Sequence, residues 1–315
     1  MQLLCRQSLL RVCLSLVIIL LASVALSLRA QTPAAPAAPE RQGLEGLKEI
    51  PFAALSSQAV GVLGQAALSL RPTEWKHAET ENFIYHYFHS HIATPVSVEA
   101  EFYYRVIAKD LGKDTSHWER KAHIFVFESA DDWSQFQTKA HLDPWTGGIH
   151  ARNELFITRD PAQKFKGNAL GHETAHLVVN RFYGDNVPLW LNEGYAEYIS
   201  LVSYATFYRA RGYQARPHFH NLPATDFLPL KQLTEMVTYP TEVRQVVAFY
   251  SESEVLVRFL SGEDKAKFAQ FLDLLSKGST FDTALRVTFG NRFPLAANFE
   301  NEFKSYANSA LLRKD

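Results

Sequence analysis

Cysteine is nearly absent from this 315-residue chain. Its two copies, Cys5 and Cys13, both lie in the first thirty residues. The rest of the chain has no thiol, which excludes a cysteine nucleophile, a thiolate metal site and a disulfide scaffold. Neither cysteine follows a lipobox-like run, so no lipid anchor is expected. A dominant charge sign is also missing: the net charge is -1. Residues 1–30 hold Arg6, Arg11 and Arg29 and no acid, leaving 29 basic against 33 acidic residues beyond them. That balance gives no electrostatic footprint for nucleic acid. There is no Gly-x-Ser-x-Gly elbow and no glycine-rich loop running into Lys-Ser or Lys-Thr, so serine hydrolysis and phosphate cradling have no carrier. Only one uncharged apolar run is long enough to span a membrane, Val12 to Leu28.

That run follows Arg6 and Arg11 and ends near Ala30-Gln31, the pattern of a signal peptide over residues 1–30. Leu28 fits poorly three residues before the cut, so an uncleaved N-terminal anchor is the alternative, and membrane contact is expected only in that case. Either way the body is expected to be exported, to the periplasm, the cell envelope or the medium. Residues 31–42 are rich in Ala and Pro and read as a linker. Residues 43–70 carry scattered glycines and take no clear assignment, so 31–70 is treated as one uncertain segment. The composition, 47% hydrophobic and 21% charged, is that of an ordinary globular body, expected over 71–315.

Within that body the pattern changes character. Phe83 to Phe88, Ala122 to Phe127 and Leu155 to Thr158 read as strands. Val96 to Leu111 reads as a helix stopped by Gly112, and Asp131 to Ala140 as a short helix capped by Asp131. After Pro161 helical spacing dominates, over roughly 164–182, 188–211, 229–236, 243–261, 264–276, 280–287 and 295–312. The fold class expected is α+β, with a mixed-sheet N-terminal lobe over about 71–163 and a helical lobe over about 164–315.

The chemistry sits at His172-Glu173-Thr174-Ala175-His176. Positions i and i+4 share one face of a helix, so both imidazoles reach one ion, and Glu173 projects beside that face as a base. Two nitrogen ligands and an adjacent carboxylate are what a zinc hydrolase needs. Five residues alone are also compatible with two histidines on a partly buried helix. The next segment, Trp190-Leu191-Asn192-Glu193-Gly194-Tyr195-Ala196-Glu197-Tyr198, follows Pro188, a helix-start signal. A turn near Gly184-Asp185-Asn186 lets Glu193 meet the same ion as third ligand. Glu197, one turn further, is positioned to accept from the free N–H of a ligand histidine, His172 first among them.

The sequence GHETAH followed by WLNEGYAEY resembles the gluzincin zinc peptidases, closest to the aminopeptidase N-like and peptidase MA-like members. The resemblance implies a thermolysin-like zincin fold, one Zn2+ per chain held by His172, His176 and Glu193, Glu173 as general base, and a peptide or protein substrate. The spacer from His176 to Glu193 is a little shorter than in the aminopeptidase N-like enzymes. Their Gly-x-Met-Glu-Asn anchor for a free amino end is missing. The matching region here, Gly147-Gly148-Ile149-His150-Ala151-Arg152-Asn153-Glu154, has only the glycines and a strand. Aminopeptidase specificity is therefore not implied; the strand after Gly147 and Gly148 suits either β-addition of a substrate, with the two glycines as its contacts, or a simple core hairpin. The family's oxyanion tyrosine resembles Tyr250 in Ala248-Phe249-Tyr250-Ser251, with His218 and His220 as competing donors.

The expected activity is zinc-dependent hydrolysis of peptide bonds. A catalytically silent zinc scaffold and a zinc hydrolase of a non-peptide amide or ester are the alternatives. His86, His89 and His91 read as surface or packing histidines, and Glu252, Glu254, Lys265 and Lys267 as solvated helix charges.

Overall fold

Ala122 to Phe127 are all buried, and they form the middle strand of a five-stranded sheet. The computed structural model describes residues 46–115, 120–143, 146–161, 168–220 and 223–312. The expected leader and Ala/Pro linker lie outside the described residues. The strands are β1 (Lys76–Glu79), β2 (Phe83–Tyr87), β3 (Ala122–Phe127), β4 (Gly148–Ala151) and β5 (Glu154–Thr158), in the order β1-β2-β3-β5-β4. β2, β3 and β5 run parallel, while β1 and β4 are antiparallel edges. Parallel neighbours need a long crossover. Between β2 and β3 this includes helix α2 (Ser90–Asp110). α2 starts six residues before the expected Val96 and contains Pro95. Pro95 is the sixth residue of α2 and has no N–H to give the His91 carbonyl, so the helix forgoes one bond in its second turn.

The sheet has two apolar faces. Tyr85, Tyr87, Ile124, Val126, Leu155 and Ile157 join the main core with α2 and the helical lobe. Phe125, Phe127 and Phe156 point the other way and pack with Trp75, Trp133 and Phe136. Phe125 and Phe156 stack at 4.8 Å. Each such ring, fully buried, stabilises the fold by roughly 1.5–3 kcal/mol. Two short helices cover this second face: α1 (Val62–Leu68) and α3 (Ala130–Lys139). Residues 46–70, unassigned from the sequence, are thus partly helical and packed. Glu154 accepts from the N–H groups of Gly61 and Gly64, tying the start of α1 to β5. The cap of α3 is Ser129, which accepts from Asp132 N at 3.0 Å, and not Asp131, which lies inside the first turn.

The chain is then helical: α4 (Ala169–Tyr183), α5 (Leu189–Arg209), α6 (Leu230–Thr234), α7 (Val243–Glu263), α8 (Lys265–Ser276), α9 (Phe281–Phe289) and α10 (Ala296–Leu312). This is the α+β architecture expected, a mixed sheet followed by helices. Among the described residues no helix is long and apolar enough to cross a membrane. α7 is buried almost all round between Ala248 and Leu260. Glu252 and Glu254 are 1% and 0% exposed, so they are not the solvated charges expected of them. Charge signals an exposed face only when the helix has one. Burial pushes Glu252 up to about 8, although Leu228 N donates to it at 2.7 Å. Burial likewise pushes Glu254 up to about 7, against Arg258 at 3.0 Å.

His86, His89 and His91 do not share an element. His86 lies on β2, His89 precedes α2 and pairs with Glu128 at 2.6 Å, and His91 is exposed inside α2. His86 instead joins a buried row across three strands. Its Nδ1 is 2.8 Å from His77 Nδ1, and its Nε2 is 2.9 Å from His123 Nδ1.

Candidate metal centre

α4 starts where Asn168 Oδ1 accepts from Gly171 N at 3.1 Å, and ends at Gly184, whose φ of 77° an L side chain rarely adopts. The five residues from Pro188 back to Gly184 reverse the chain, and Pro188 opens α5. The two helices pack against each other and turn His172, His176 and Glu193 inward. The Nε2 atoms of His172 and His176 are 3.0 Å apart. Glu193 Oε2 lies 3.3 Å from the first and 3.5 Å from the second.

These separations test whether an ion fits. Ligand bonds of about 2.0–2.1 Å at tetrahedral angles put donor atoms roughly 3.3–3.4 Å apart. The observed triangle brackets that value. Two imidazole nitrogens at 3.0 Å with both lone pairs inward repel one another unless a cation or a proton lies between them. The donor set suits a borderline divalent metal.

Both imidazoles are held from behind. His172 Nδ1 is 3.3 Å from Glu197 Oε1, and His176 Nδ1 donates to Asn192 Oδ1 at 3.0 Å. Each bond keeps the proton on Nδ1 and the Nε2 lone pair free. Glu197 Oε2 in turn meets His220 Nε2 at 3.1 Å. His220 therefore partners Glu197, and its backbone oxygen accepts from Arg258 at 3.1 Å. His218 is exposed. Tyr239, which carries no motif, donates to Glu193 Oε1 at 2.5 Å.

Three carboxylates crowd two imidazoles here, and the electrostatics follow. Burial disfavours charge on His172, but bonds to Glu193 and Glu197 outweigh it and hold its pKa well above the ordinary value. His176 is raised in the same way against burial, mainly by Glu193. Burial would raise Glu193, yet the two histidines keep it well below the usual range. Glu197 is pulled down to about 2, its bonds to His172 and His220 overriding burial. Glu173 goes the other way: burial raises it, and the histidines only partly offset this. The cluster thus gathers three carboxylates around two imidazoles, of which His172, His176 and Glu193 could hold a cation.

Glu173 sits against β4. The N–H of His150 donates to its carboxylate. A Cβ on Gly148 would lie 3.0 Å from Glu173 Oε1 and 3.2 Å from its Cγ, whereas one on Gly147 would meet nothing within 4 Å. Of the two glycines only Gly148 approaches Glu173. Among the described residues β4 pairs with β5 on one side and no strand pairs with its other edge. A cavity of about 230 Å³ adjoins His176, lined by His150, Arg152, Asn180, Asp185 and Asn192 among others. Tyr250 is half-buried on α7 and stacks against Tyr239 at 6.4 Å. Burial raises its hydroxyl pKa, and the negative charge of Glu193, Glu197 and Glu173 raises it further.

Sequence reasoning missed Asn192 and Tyr239. Asn192 had a signal, being adjacent to Glu193 in the second motif. Tyr239 had none, since it lies 46 residues from its partner. The family model for the Peptidase MA superfamily matches residues 106–306. A search of curated proteins gives no match.

Proposed function

The chain belongs to the Peptidase MA superfamily, and from that premise we propose that it is a zinc-dependent peptidase of gluzincin type. The observation that carries the reading is the triangle of His172 Nε2, His176 Nε2 and Glu193 Oε2, with edges of 3.0–3.5 Å and Glu173 beside it. His172, His176 and Glu193 hold one Zn2+. When bound, the ion supplies Lewis acidity, acidifying water and polarising a carbonyl. Glu173 takes the proton of the attacking water and delivers it to the leaving amine. Its raised pKa, caused by burial, suits a group that must both accept and release a proton near neutrality. His150 N–H aims the carboxylate. Tyr250 is the donor to the developing oxyanion, its proton retained by burial and by the surrounding negative charge.

An extended substrate pairs with the free edge of β4, its neighbouring side chain entering the cavity beside His176. Glu197 and Asn192 keep the imidazoles in their ligating tautomer. The basic and then apolar first thirty residues support the further reading that the enzyme acts outside the cytoplasm.

The test combines metal content and cleavage. The purified chain is expected to carry one equivalent of zinc, and His172→Ala to carry little. A peptide library is expected to be cut in a chelator-sensitive manner. Equal zinc in both proteins sinks the ligand assignment. Zinc without cleavage of any peptide sinks the peptidase reading.

A further inference from the structure

A carboxylate ligand has two oxygens, and the structure treats those of Glu193 differently. Oε2 faces the two imidazoles at 3.3 and 3.5 Å. Oε1 accepts the hydroxyl of Tyr239 at 2.5 Å. Tyr239 lies in the connection between α6 and α7, outside both sequence motifs. Its ring is fixed by edge contact with Phe249 at 6.0 Å and by the stack on Tyr250. Half of its surface still faces solvent, at 51% exposure.

We propose that Tyr239 is a positioning residue for the metal ligand Glu193. By engaging Oε1 it leaves Oε2 as the one oxygen offered to the ion. This rests on the reading of the site as a zinc centre. The consequence is geometric. Two histidines and a single carboxylate oxygen make three ligands and leave the fourth tetrahedral position open for water, the arrangement catalytic zinc sites use. Without the phenol, Oε1 would be free to act as a further ligand to a bound ion. Partners of this kind, bonded to the ligands and not to the ion, typically contribute 10–100-fold in metal affinity.

The experiment uses the full chain, with Zn2+ and Co2+ as probes, as wild type, Tyr239→Phe and Tyr250→Phe. Zinc affinity is read by competition with a chromophoric chelator. Coordination number is read from the visible spectrum of the cobalt form, whose bands are intense for four ligands and weaker for five or six. Tyr239→Phe is expected to weaken zinc by about 10–100-fold and to weaken the cobalt bands, with an unchanged apo-protein melting temperature. Tyr250→Phe, which removes no recorded bond to Glu193, is expected to match wild type in both readouts. Wild-type zinc affinity and an unaltered spectrum in Tyr239→Phe overturn the proposal. The same shifts in Tyr250→Phe overturn it too, as does a lowered apo melting temperature, which assigns the hydroxyl to loop folding. A wild type that takes up no zinc removes the metal reading itself. If Tyr239→Phe behaves as expected and no peptide is cut by wild type, the peptidase reading fails and the role of Tyr239 stands.

Discussion

At the scale of single residues the site is governed by hydrogen positions and by free volume. His172 and His176 each have one nitrogen aimed at the other and one aimed at an oxygen, so Glu197 and Asn192 choose the tautomer. Gly148 acts through what it lacks. With Glu173 Oε1 3.0 Å from where its Cβ would be, Gly148→Ala forces Glu173 or the strand to shift by a few tenths of an ångström. Misplacement on the order of 1 Å costs about a hundredfold in turnover. Gly148→Ala is therefore expected to lower kcat by roughly 10–100-fold with zinc content unchanged. Gly147→Ala, whose methyl meets nothing, is expected to leave kcat alone, any substrate contact showing in KM. Steady-state kinetics beside a metal assay separates the two. Equal kcat in wild type and Gly148→Ala refutes the packing argument.

At the scale of elements, the close approach of α5 to α7 decides where Glu193 stands. Gly194, next to Glu193, passes directly over Ser253. A Cβ there would lie 2.4 Å from the Ser253 carbonyl oxygen, backbone that has no rotamer with which to give way. Overpacking of this kind costs about 1–3 kcal/mol, sometimes more. Gly194→Ala is expected to fall at the upper end, lowering the melting temperature by several degrees. It also pushes Glu193 out of register with the histidines and so weakens metal binding. A variant with normal melting and normal zinc affinity means the helices separate at no cost. The same crossing explains the glycine after Glu193 by packing alone.

At the scale of the whole molecule, the sheet holds a second group of histidines. His77, His86 and His123 are buried in a row on the sheet face that carries Phe125, with Phe52 against His77. Burial lowers all three, His86 well below its ordinary value and His123 to about 4. Glu49 near His77 raises its value, as Glu79 does at His123, while Arg120 lowers that of His123. A histidine depressed in the fold binds fewer protons there than in the unfolded chain. Its stabilising effect is full above about pH 6.5 and is lost as the pH falls toward 4. For His123 alone that loss is roughly 3 kcal/mol. Urea unfolding across this range, with chelator present, is expected to show stability falling on acidification. His123→Leu is expected to reduce the slope by up to one proton, and an identical slope in both proteins rejects the account.

Much of this was legible in the sequence because helical and strand periodicities are local. The spacing of His172 and His176 put both on one face, the Pro188 start set α5, and buried runs such as Ala122–Phe127 announced the sheet. Locality is also where legibility stopped. Tyr239 on Glu193, His220 on Glu197 and Gly148 on Glu173 join residues that no period relates. The burial of Glu252 and Glu254 depends on what surrounds α7, not on its own pattern. The sequence by itself determined which side chains face a common point across α4 and the start of α5. Only the tertiary structure decided which oxygen of Glu193 faces that point, what holds each imidazole and where the base rests. Those depend on how distant segments close over the site, and packing is settled only when the whole chain is in place.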